Sequence, residues 1–514
     1  MVSTARVLGA VLAIVQGVLS ARYFGASSEK DSYLVAQAIP GLVTTFLVGG
    51  VYATLLVSLA EIGRREGIAG QHSFARRTLR HVTLALAPFL AVAFLVPRLI
   101  VSWTAPGFGP PSVNLAASLL RITALGALGT IVFTGTRCVY EARYQFVVPA
   151  FIGLLTPLVS LLILVTLVGR IGIFSLAVGP LLGVGLAVGL LAALLRKTLV
   201  DPPGFVAVPA TAADRSLQAR RFWMALVPMS VGANFGQINL LVDNAFGSYL
   251  PTGSITMLGF AFVIVSNAQL LTTSSLAEVA FPRLAAAALG SRDDLLATLR
   301  SNLRYMVLAT APIGAGAVAF GKPLVRLLFQ RGQFGPESTA GVARVLTFYA
   351  PGIVFSGYLA LYTLVLVARK RYAQVAWTSM GAVLINAVLD YVLIKPLALG
   401  GIALATTCVT LFHVLLVAPF VRRQVPVLRH RGDTSFDLRA ILSAVIMGLV
   451  VWAGATLFER RFDTSSEAVR LVEVIGGLGL GAAAYVGLLH AMRLDEARTL
   501  ARRILASLAR WAPR

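Results

Sequence analysis

Long apolar runs separated by short polar segments recur along the whole chain. Each run is about 20 residues long, the length that an α-helix needs to cross the roughly 30 Å hydrocarbon core of a membrane. The runs are continuous, whereas the strands of a transmembrane β-barrel would alternate apolar and polar residues. The pattern therefore predicts fourteen transmembrane helices, at 4–24, 32–60, 80–102, 114–137, 145–169, 172–195, 222–247, 253–282, 304–321, 340–368, 373–394, 399–421, 438–458 and 468–492.

The composition agrees with an all-α polytopic membrane protein. Hydrophobic residues make up 57% of the 514 residues and charged residues 13%, against about 25% charged in soluble domains. The two cysteines, Cys138 and Cys408, are too few for a disulfide framework and are expected to be free packing residues. The chain has no Walker loop, no metal-spaced Cys/His set and no nucleophile elbow, so we expect no organic cofactor and no enzyme.

A net charge of +23 would also suit a nucleic-acid-binding protein. The basic residues, however, concentrate in every second connection between predicted helices, including 61–79, 196–221 and 422–437. Cytoplasmic loops of membrane proteins show this bias. We therefore expect both termini to be cytoplasmic and nucleic acid not to be a partner. The basic, amphipathic tail at 493–514 is expected to lie on the membrane surface.

One architectural unit occurs twice in the chain. At an offset of 226 residues, PRLIVSWTAPGFGPPS at 97–112 aligns without a gap on PLVRLLFQRGQFGPES at 323–338. Both segments are short polar turns between apolar runs, on the predicted extracytoplasmic side. An even number of helices in each repeat gives both repeats the same orientation, so a pseudo-two-fold axis along the membrane normal should relate them.

The repeat predicts two six-helix lobes with two additional C-terminal helices. The Pro- and Ala-rich connection after the sixth predicted helix separates the lobes. The predicted divisions are 1–197 for the N-terminal lobe, 198–221 for a cytoplasmic linker, 222–423 for the C-terminal lobe, 424–492 for helices 13 and 14, and 493–514 for the tail.

PLVRLLFQRGQF resembles the extracytoplasmic signature of the MviN/MurJ lipid II flippases, in the MOP exporter superfamily. Four further stretches resemble the same family: ARYFGASSEKDSYLVAQAIP at 21–40, GQINLLVDNAFGSYLPTGSIT at 236–256, AEVAFPRLA at 277–285 and GGIALATT at 400–407. The likeness covers most of the chain. It implies a MOP/MATE-like fold in a bacterial inner (cytoplasmic) membrane.

The resemblance also implies an activity. Family members move a polyprenyl-pyrophosphate-linked saccharide, lipid II, from the inner to the outer leaflet by alternating access. Arginines in a central cavity hold the pyrophosphate, and helices 13 and 14 form a groove for the lipid tail. The expected partners are this glycolipid and membrane lipids, the expected state is a monomer, and transport is expected to be coupled to sodium or to the membrane potential.

The chain departs from the family pattern at the cavity arginines. Ala10 and Gln16 stand where the family has arginines in the first helix, and 40–50 reads PGLVTTFLVGG where the family has P-N-L-L-R-R-x-F-A-E-G. In the eighth helix, 260–264 reads FAFVI in place of a motif with an arginine. The alternatives are an exporter of another lipid-linked glycan or small amphiphile, or a scaffold that no longer transports.

Other polar residues within the predicted helices are candidates for the substrate cavity: Arg6, Arg22, Asp31, Arg121, Asn234 and Gln237. Ionisable groups in a membrane are costly and usually functional. Arg121 would bind an anion, or else pair with a carboxylate or with free backbone carbonyls. Arg6 would instead reach the headgroups. Asp31 matches a family aspartate, with a helix N-cap as its alternative role.

A second cluster predicts a cation site. Asn386 and Asp390 are four residues apart on one helix face, and Asp243, Thr406 and the Ile402 carbonyl are predicted at a similar depth. Such oxygen ligands suit a hard cation, and the set resembles the family's sodium site. Its alternative is a hydrogen-bonded network between packed helices. His413 and Glu473 are expected to be isolated packing residues.

Overall fold

The computed structural model describes residues 2–198, 211–231, 235–425 and 431–494. Within these ranges the chain is almost entirely helical and contains no β-strand, which confirms the predicted all-α class. The described helices are α1 (Val2–Phe24), α2 (Ser28–Leu95), α3 (Pro97–Thr104), α4 (Pro110–Glu141), α5 (Val147–Gly153), α6 (Leu155–Ile171), α7 (Ser175–Thr198), α8 (Ala212–Val231), α9 (Phe235–Gly247), α10 (Ser254–Gln269), α11 (Ser275–Leu289), α12 (Arg292–Phe329), α13 (Pro336–Tyr349), α14 (Gly352–Ala368), α15 (Tyr372–Leu397), α16 (Leu399–Arg422), α17 (Arg431–Arg461) and α18 (Glu467–Ala491).

Ten helical stretches among the described residues are long and apolar enough to cross a membrane, and eleven if α13 and α14 count as one span bent by 41°. Two of the stretches, α2 and the segment 147–195, each cover most of two predicted spans. The predicted span at 222–247 crosses residues 232–234, which lie outside the described ranges. The count is therefore consistent with fourteen spans.

Helix α2 consists of two helices that meet at Gly67. Gly67 has φ 68° and ψ −161°, a backbone conformation that suits glycine. Gln71 Nε2 donates to the carbonyl of Leu59 at 2.7 Å, although twelve residues of straight helix would separate them by about 18 Å. The chain therefore reverses at Gly67. The prediction of a polar loop at 61–79 is therefore wrong, because the charged residues of this segment lie in the two helices and not in a coil.

The predicted repeat is visible in the backbone. Gly109 and Gly335 precede helices that begin with Pro110 and Pro336, and proline suits the first helical position because it has no N–H to leave unpaired. At the other end of each helical region a non-glycine residue has positive φ, 61° at Tyr144 and 56° at Lys370. The same turn hydrogen bond closes both, from Gln145 N to Tyr140 O and from Arg371 N to Leu366 O.

The chain divides into two compact units. The first comprises Met1–Thr256 with Arg331–Phe334, and the second Met257–Gln330 with Gly335–Arg514. Helices α8 and α9 pack against α2 within the first unit. The predicted lobe boundaries follow the sequence repeat and stay a prediction. Much of the predicted linker and nearly all of the tail at 493–514 lie outside the described residues.

Candidate functional site

Segments 22–31, 104–109, 247–256 and 331–334 form a turn cluster in the first unit. Gln333 N donates to the carbonyl of Arg22 at 2.9 Å, and a Cβ atom on Gly25 would collide with the Gln333 carbonyl. Gly25 also has φ 54°. Both the left-handed conformation and the close approach require glycine there.

A second contact in the turn cluster mirrors the first. Gly107 N donates to Ser248 Oγ at 2.9 Å, and a Cβ atom on Gly107 would collide with the Ser248 carbonyl. The first turn of the N-terminal repeat, at Gly25, thus packs on the second turn of the C-terminal repeat, at Gln333. The second turn of the N-terminal repeat, at Gly107, packs on the first turn of the C-terminal repeat, at Ser248. Arg22, from the family-like stretch at 21–40, therefore contacts Gln333, at the end of the extracytoplasmic signature.

Asp31 links two helices of the turn cluster. Its buried carboxylate accepts hydrogen bonds from Gly253 N at 2.6 Å, from Thr256 N at 2.7 Å and from Thr256 Oγ1 at 2.6 Å. It therefore caps the N-terminus of α10, where backbone N–H groups have no partner within the helix. Its own helix is capped by Ser27, whose Oγ accepts from Lys30 N. Asp31 thus has the N-cap role that was its alternative prediction. It caps α10, which follows Gly253, 222 residues later in the chain, and not its own helix.

The first unit contains a cavity of about 240 Å³ with a neutral polar lining. Thr44 and Thr45, from the stretch that departs from the family pattern, face it together with Thr123, Thr130 and Gln37. No charged side chain of the described residues lines it. This cavity was not predicted, because threonines in an apolar helix give the same sequence signal whether they face a cavity or bond to their own backbone.

The predicted cavity residues lie in different places. Arg121 is exposed, and its Nε donates to the Phe94 carbonyl at 3.3 Å. Phe94 is in the last turn of α2, where carbonyls lack helical donors, and the predicted role of Arg121 in the substrate cavity stays a prediction. Arg22 is exposed at the end of α1, and Gln237 is half-buried on α9. The side chain of Arg6 and all of Asn234 lie outside what the structure describes.

Four of the five predicted cation ligands lie on two packed helices of the second unit, α15 and α16. Asn386 and Asp390 are fully buried on α15, and Asn386 Nδ2 donates to Asp390 Oδ2 at 2.9 Å. On the packed neighbour α16, Thr406 Oγ1 donates to the Ile402 carbonyl at 3.2 Å. Asp243 is buried in the first unit. The five-residue sodium site stays a prediction.

An apolar cavity of about 620 Å³ lies in the second unit between α12, α14 and α17. Small residues on α12 and α17 create the space, because they leave room between the helix backbones. The lining includes Gly314, Ala315, Val318, Gly448, Leu449 and Trp452.

Ion pairs join α12 to α17 and α18 at one end of this cavity. Arg326, from the 323–334 signature, hydrogen-bonds Glu459 and lies 3.6 Å from the carboxylate of Glu473. Lys322 lies 3.6 Å from Glu459. The expectation that Glu473 is isolated is therefore wrong. Its partner is 147 residues earlier in the sequence, and no local pattern indicates such a pairing.

A second group of polar contacts holds the other end. Asp433 on α17 pairs with Arg300 at 3.1 Å and with Arg304 at 3.0 Å, both on α12. Asp437 accepts a hydrogen bond from the hydroxyl of Tyr358 on α14 at 2.7 Å. Helix α17 is thus fixed to its neighbours at both ends, and the cavity between those ends is apolar.

Comparison with known proteins gives a consistent result. The family described as "Lipid II flippase MurJ" matches residues 20–473. A probable lipid II flippase MurJ of Thermotoga maritima is 27% identical over 462 residues, covering 86% of this chain and 87% of that protein. The lipid II flippase MurJ of Burkholderia cenocepacia is 23% identical over 500 residues, covering 96% of each chain.

Solved structures show the same fold. A lipid II flippase MurJ in an inward closed conformation superposes with a TM-score of 0.76 at 21% identity, covering 96% of this chain and 99% of that one. An inward-facing MATE transporter of the MOP superfamily superposes with a TM-score of 0.69 at 12% identity, covering 82% and 95%. The MOP/MATE-like fold expected from the sequence is therefore confirmed.

Proposed function

Since the chain belongs to the MurJ family of lipid II flippases, we propose that it moves a polyprenyl-pyrophosphate-linked saccharide from the inner to the outer leaflet. Lipid II or a close relative is the substrate. A polar headgroup cannot cross hydrocarbon unaided, so the protein supplies a polar path by alternating access while the lipid tail stays in an apolar environment.

The apolar cavity of the second unit is the observation that carries the proposal. Its 620 Å³ volume is lined by alanine, glycine, valine and tryptophan, which suits a hydrocarbon chain and offers nothing to a charged solute. The ion pairs at the two ends of α17 fix this helix to α12, and the small residues between those ends leave the space, so the cavity persists as a groove for a polyprenyl tail.

The neutral cavity of the first unit favours a saccharide over a bare anion. The hydroxyls of Thr44, Thr45 and Thr130 each donate to a carbonyl of their own helix, so they offer acceptor oxygens, which suit the hydroxyl donors of a sugar. In this proposal Arg121 and Arg22 supply the cations for the pyrophosphate. The same neutral lining also supports a second candidate, an exporter of a different lipid-linked glycan or a small amphiphile.

Localisation and orientation follow from the charge pattern. We place the protein as a monomer in the cytoplasmic (inner) membrane of a bacterium, with both termini in the cytoplasm. The arginine-rich alternate connections support this orientation. An inward-negative membrane potential would then favour both cation entry and export of an anionic headgroup.

Coupling to sodium is proposed through Asp243, Asn386, Asp390, Ile402 and Thr406. Asn386 and Asp390 are fully buried four residues apart on α15, and amide and carboxylate oxygens are ligands that suit a hard cation. We expect sodium chloride to raise the unfolding temperature of the purified protein more than choline chloride does, and Asp390→Ala to remove the difference. A wild-type protein that responds equally to both salts would contradict sodium binding.

Complementation tests the proposed transport. The wild-type chain should restore growth to a bacterial strain depleted of its own lipid II flippase. Val318→Trp fills the apolar cavity from an exposed position on α12 and should abolish growth. Val472→Trp adds the same bulk at an exposed position outside the cavity and should not. Failure of the wild-type chain at normal abundance would exclude lipid II as the substrate.

A further inference from the structure

Three arginines from separate helical elements line one small cavity in the second unit. The cavity has a volume of about 210 Å³. Arg292 begins α12, Arg371 precedes α15 and Arg423 follows α16. Gln374 and Gln424 add polar groups to the lining.

These arginines lack carboxylate partners within the described part of the chain. No described ion pair involves Arg292, Arg371 or Arg423, and the Arg423 guanidinium lies 5.7 Å from the ring centroid of Phe420. The nearest acidic residues on these elements, Asp293 and Asp294, do not line the cavity. Asp294 caps α12 by bonding Ser291.

The equivalent turn of the first repeat is different. There Arg143 donates to Gln71 at 2.7 Å, and Arg137 pairs with Glu141 at 2.6 Å. Orientation of the protein requires only that basic residues be present near this face. It does not require three of them to converge on a cavity, so the second repeat has a feature that topology alone does not explain.

The groups around the cavity also indicate what the ligand carries. Helices α12 and α15 begin at the cavity, whereas α14 and α16 end beside it, so the helix dipoles oppose one another and the arginine side chains supply the positive charge. Gln374 Oε1 is buried and accepts no hydrogen bond from any described residue. A ligand that satisfies the whole lining therefore carries both an anionic group and a hydrogen-bond donor.

Exposed aromatic residues place the cavity near a membrane–water boundary. Tyr372 and Trp377, on the first turns of α15, are 60% and 67% exposed. Tyrosine and tryptophan concentrate at the headgroup level of membranes, and basic pockets between helices at this level bind lipid headgroups.

We propose that this cavity binds a glycerol phosphate group, with the phosphate on Arg292, Arg371 and Arg423 and a glycerol hydroxyl donating to Gln374 Oε1. Arginine forms paired hydrogen bonds to phosphate. The group has two sources, the headgroup of phosphatidylglycerol in the inner leaflet and free glycerol 3-phosphate. The site lies outside the two cavities assigned to transport, so it is independent of the proposed function.

The experiment measures ligand binding to the purified full-length protein in neutral detergent. Phosphatidylglycerol, phosphatidylcholine and glycerol 3-phosphate are titrated separately, with bound lipid counted by native mass spectrometry and stabilisation followed by the unfolding temperature. The test variant is R371Q/R423Q. The matched control, K370Q/R422Q, removes two neighbouring positive charges whose side chains do not line the cavity.

Phosphatidylglycerol should bind the wild type and the control within about twofold of each other, and R371Q/R423Q at least about tenfold more weakly, the effect of losing charged hydrogen bonds. Gln374→Leu should weaken the binding of phosphatidylglycerol, because it removes the acceptor for the glycerol hydroxyl. A site-dependent response to glycerol 3-phosphate alone would support the chemistry and assign it to the soluble source. Equal binding by wild type and R371Q/R423Q, or equal losses in test and control variants, would overturn the proposal.

Discussion

The two repeats share a backbone and differ in chemistry. In the turns after α4 and α14, the residues at equivalent positions, Tyr144 and Lys370, have positive φ. The same backbone hydrogen bond closes both turns. In the first turn Glu141 and Gln71 hold the arginines. In the second, Arg371 lines a cavity.

The cavities of the two units show the same divergence. The first is lined by threonines and a glutamine, and the second by apolar residues between groups of ion pairs. Proline and glycine at equivalent positions preserve the helix starts and turns, because they act on the backbone. Side chains between those positions can change without altering the backbone. The two repeats therefore share backbone features, while one unit has a cavity with threonine hydroxyls and the other has an apolar cavity.

The largest effect is expected for Arg326→Ala in the second repeat. Its side chain is buried between Glu459 and Glu473, and removing one partner of a buried ion pair costs about 3–5 kcal/mol. The equivalent position in the first repeat is Ile100, where alanine should cost about 1 kcal/mol because only partial apolar burial is lost. Unfolding in detergent measures both.

A second substitution tests the cause of that loss. Adding Glu473→Gln to Arg326→Ala should recover part of the stability, since the uncompensated buried charge is gone. If Arg326→Ala costs no more than Ile100→Ala, the ion pairs do not distinguish the two repeats.

Asp31→Ala should give the next largest effect, about 2–4 kcal/mol of stability, because it leaves two buried N–H groups of α10 without acceptors. Thr256→Val removes only one hydroxyl bond to the same carboxylate and should cost about 1 kcal/mol. Thermal unfolding compares the two variants. Equal losses of stability in the two variants would show that the Thr256 hydroxyl bond, and not the capping of backbone N–H groups, accounts for the contribution of Asp31.

Gly107→Ala should destabilise by about 1–3 kcal/mol, since the added Cβ meets backbone atoms of Ser248 that have little room to move. Gly335→Ala, in the matching turn of the second repeat, has open space and should change stability by less than about 0.5 kcal/mol. A denaturant titration of both variants gives the difference. If Gly107→Ala does not lower stability, the close contact between Gly107 and Ser248 is not needed to hold the turn cluster together.

Thr45→Val should have the smallest effect on stability, less than about 0.5 kcal/mol, but should lower the transport rate several-fold. Its hydroxyl faces the neutral cavity and otherwise bonds only its own helix, at the carbonyl of Gly41. Thr166→Val removes a similar hydroxyl, bonded to Leu162 outside the cavity. If Thr45→Val transports at the wild-type rate, the cavity that Thr45 lines is not part of the path of the saccharide.

Local pattern was sufficient to predict the helices and the repeat. Apolar runs indicated the spans, and the paired Pro-Gly turns gave the duplication. The reversal at Gly67 was harder, because the polar residues around it favour helix as well as loop. The offset nevertheless placed equivalent turns correctly at Tyr144 and Lys370.

The site was only partly predictable. Asn386 and Asp390 are four residues apart, so helical geometry alone brought them together. Asp31 and Thr256, by contrast, are 225 residues apart, and only the three-dimensional fold brings them into contact. The arginines missing from the family pattern were visible in the sequence, whereas the threonine-lined cavity at 44–45 required the packing of α2 against α4.

The most direct test of the account reconstitutes the protein in vesicles that contain a fluorescent polyprenyl-pyrophosphate-linked saccharide in both leaflets. A membrane-impermeant reductant quenches the outer leaflet only. Vesicles with the wild-type chain should lose nearly all fluorescence as inner-leaflet lipid is moved outward, and those with Val318→Trp should lose only the half that starts in the outer leaflet. Loss of only half with the wild-type chain, under an imposed sodium gradient and membrane potential, would contradict a flippase.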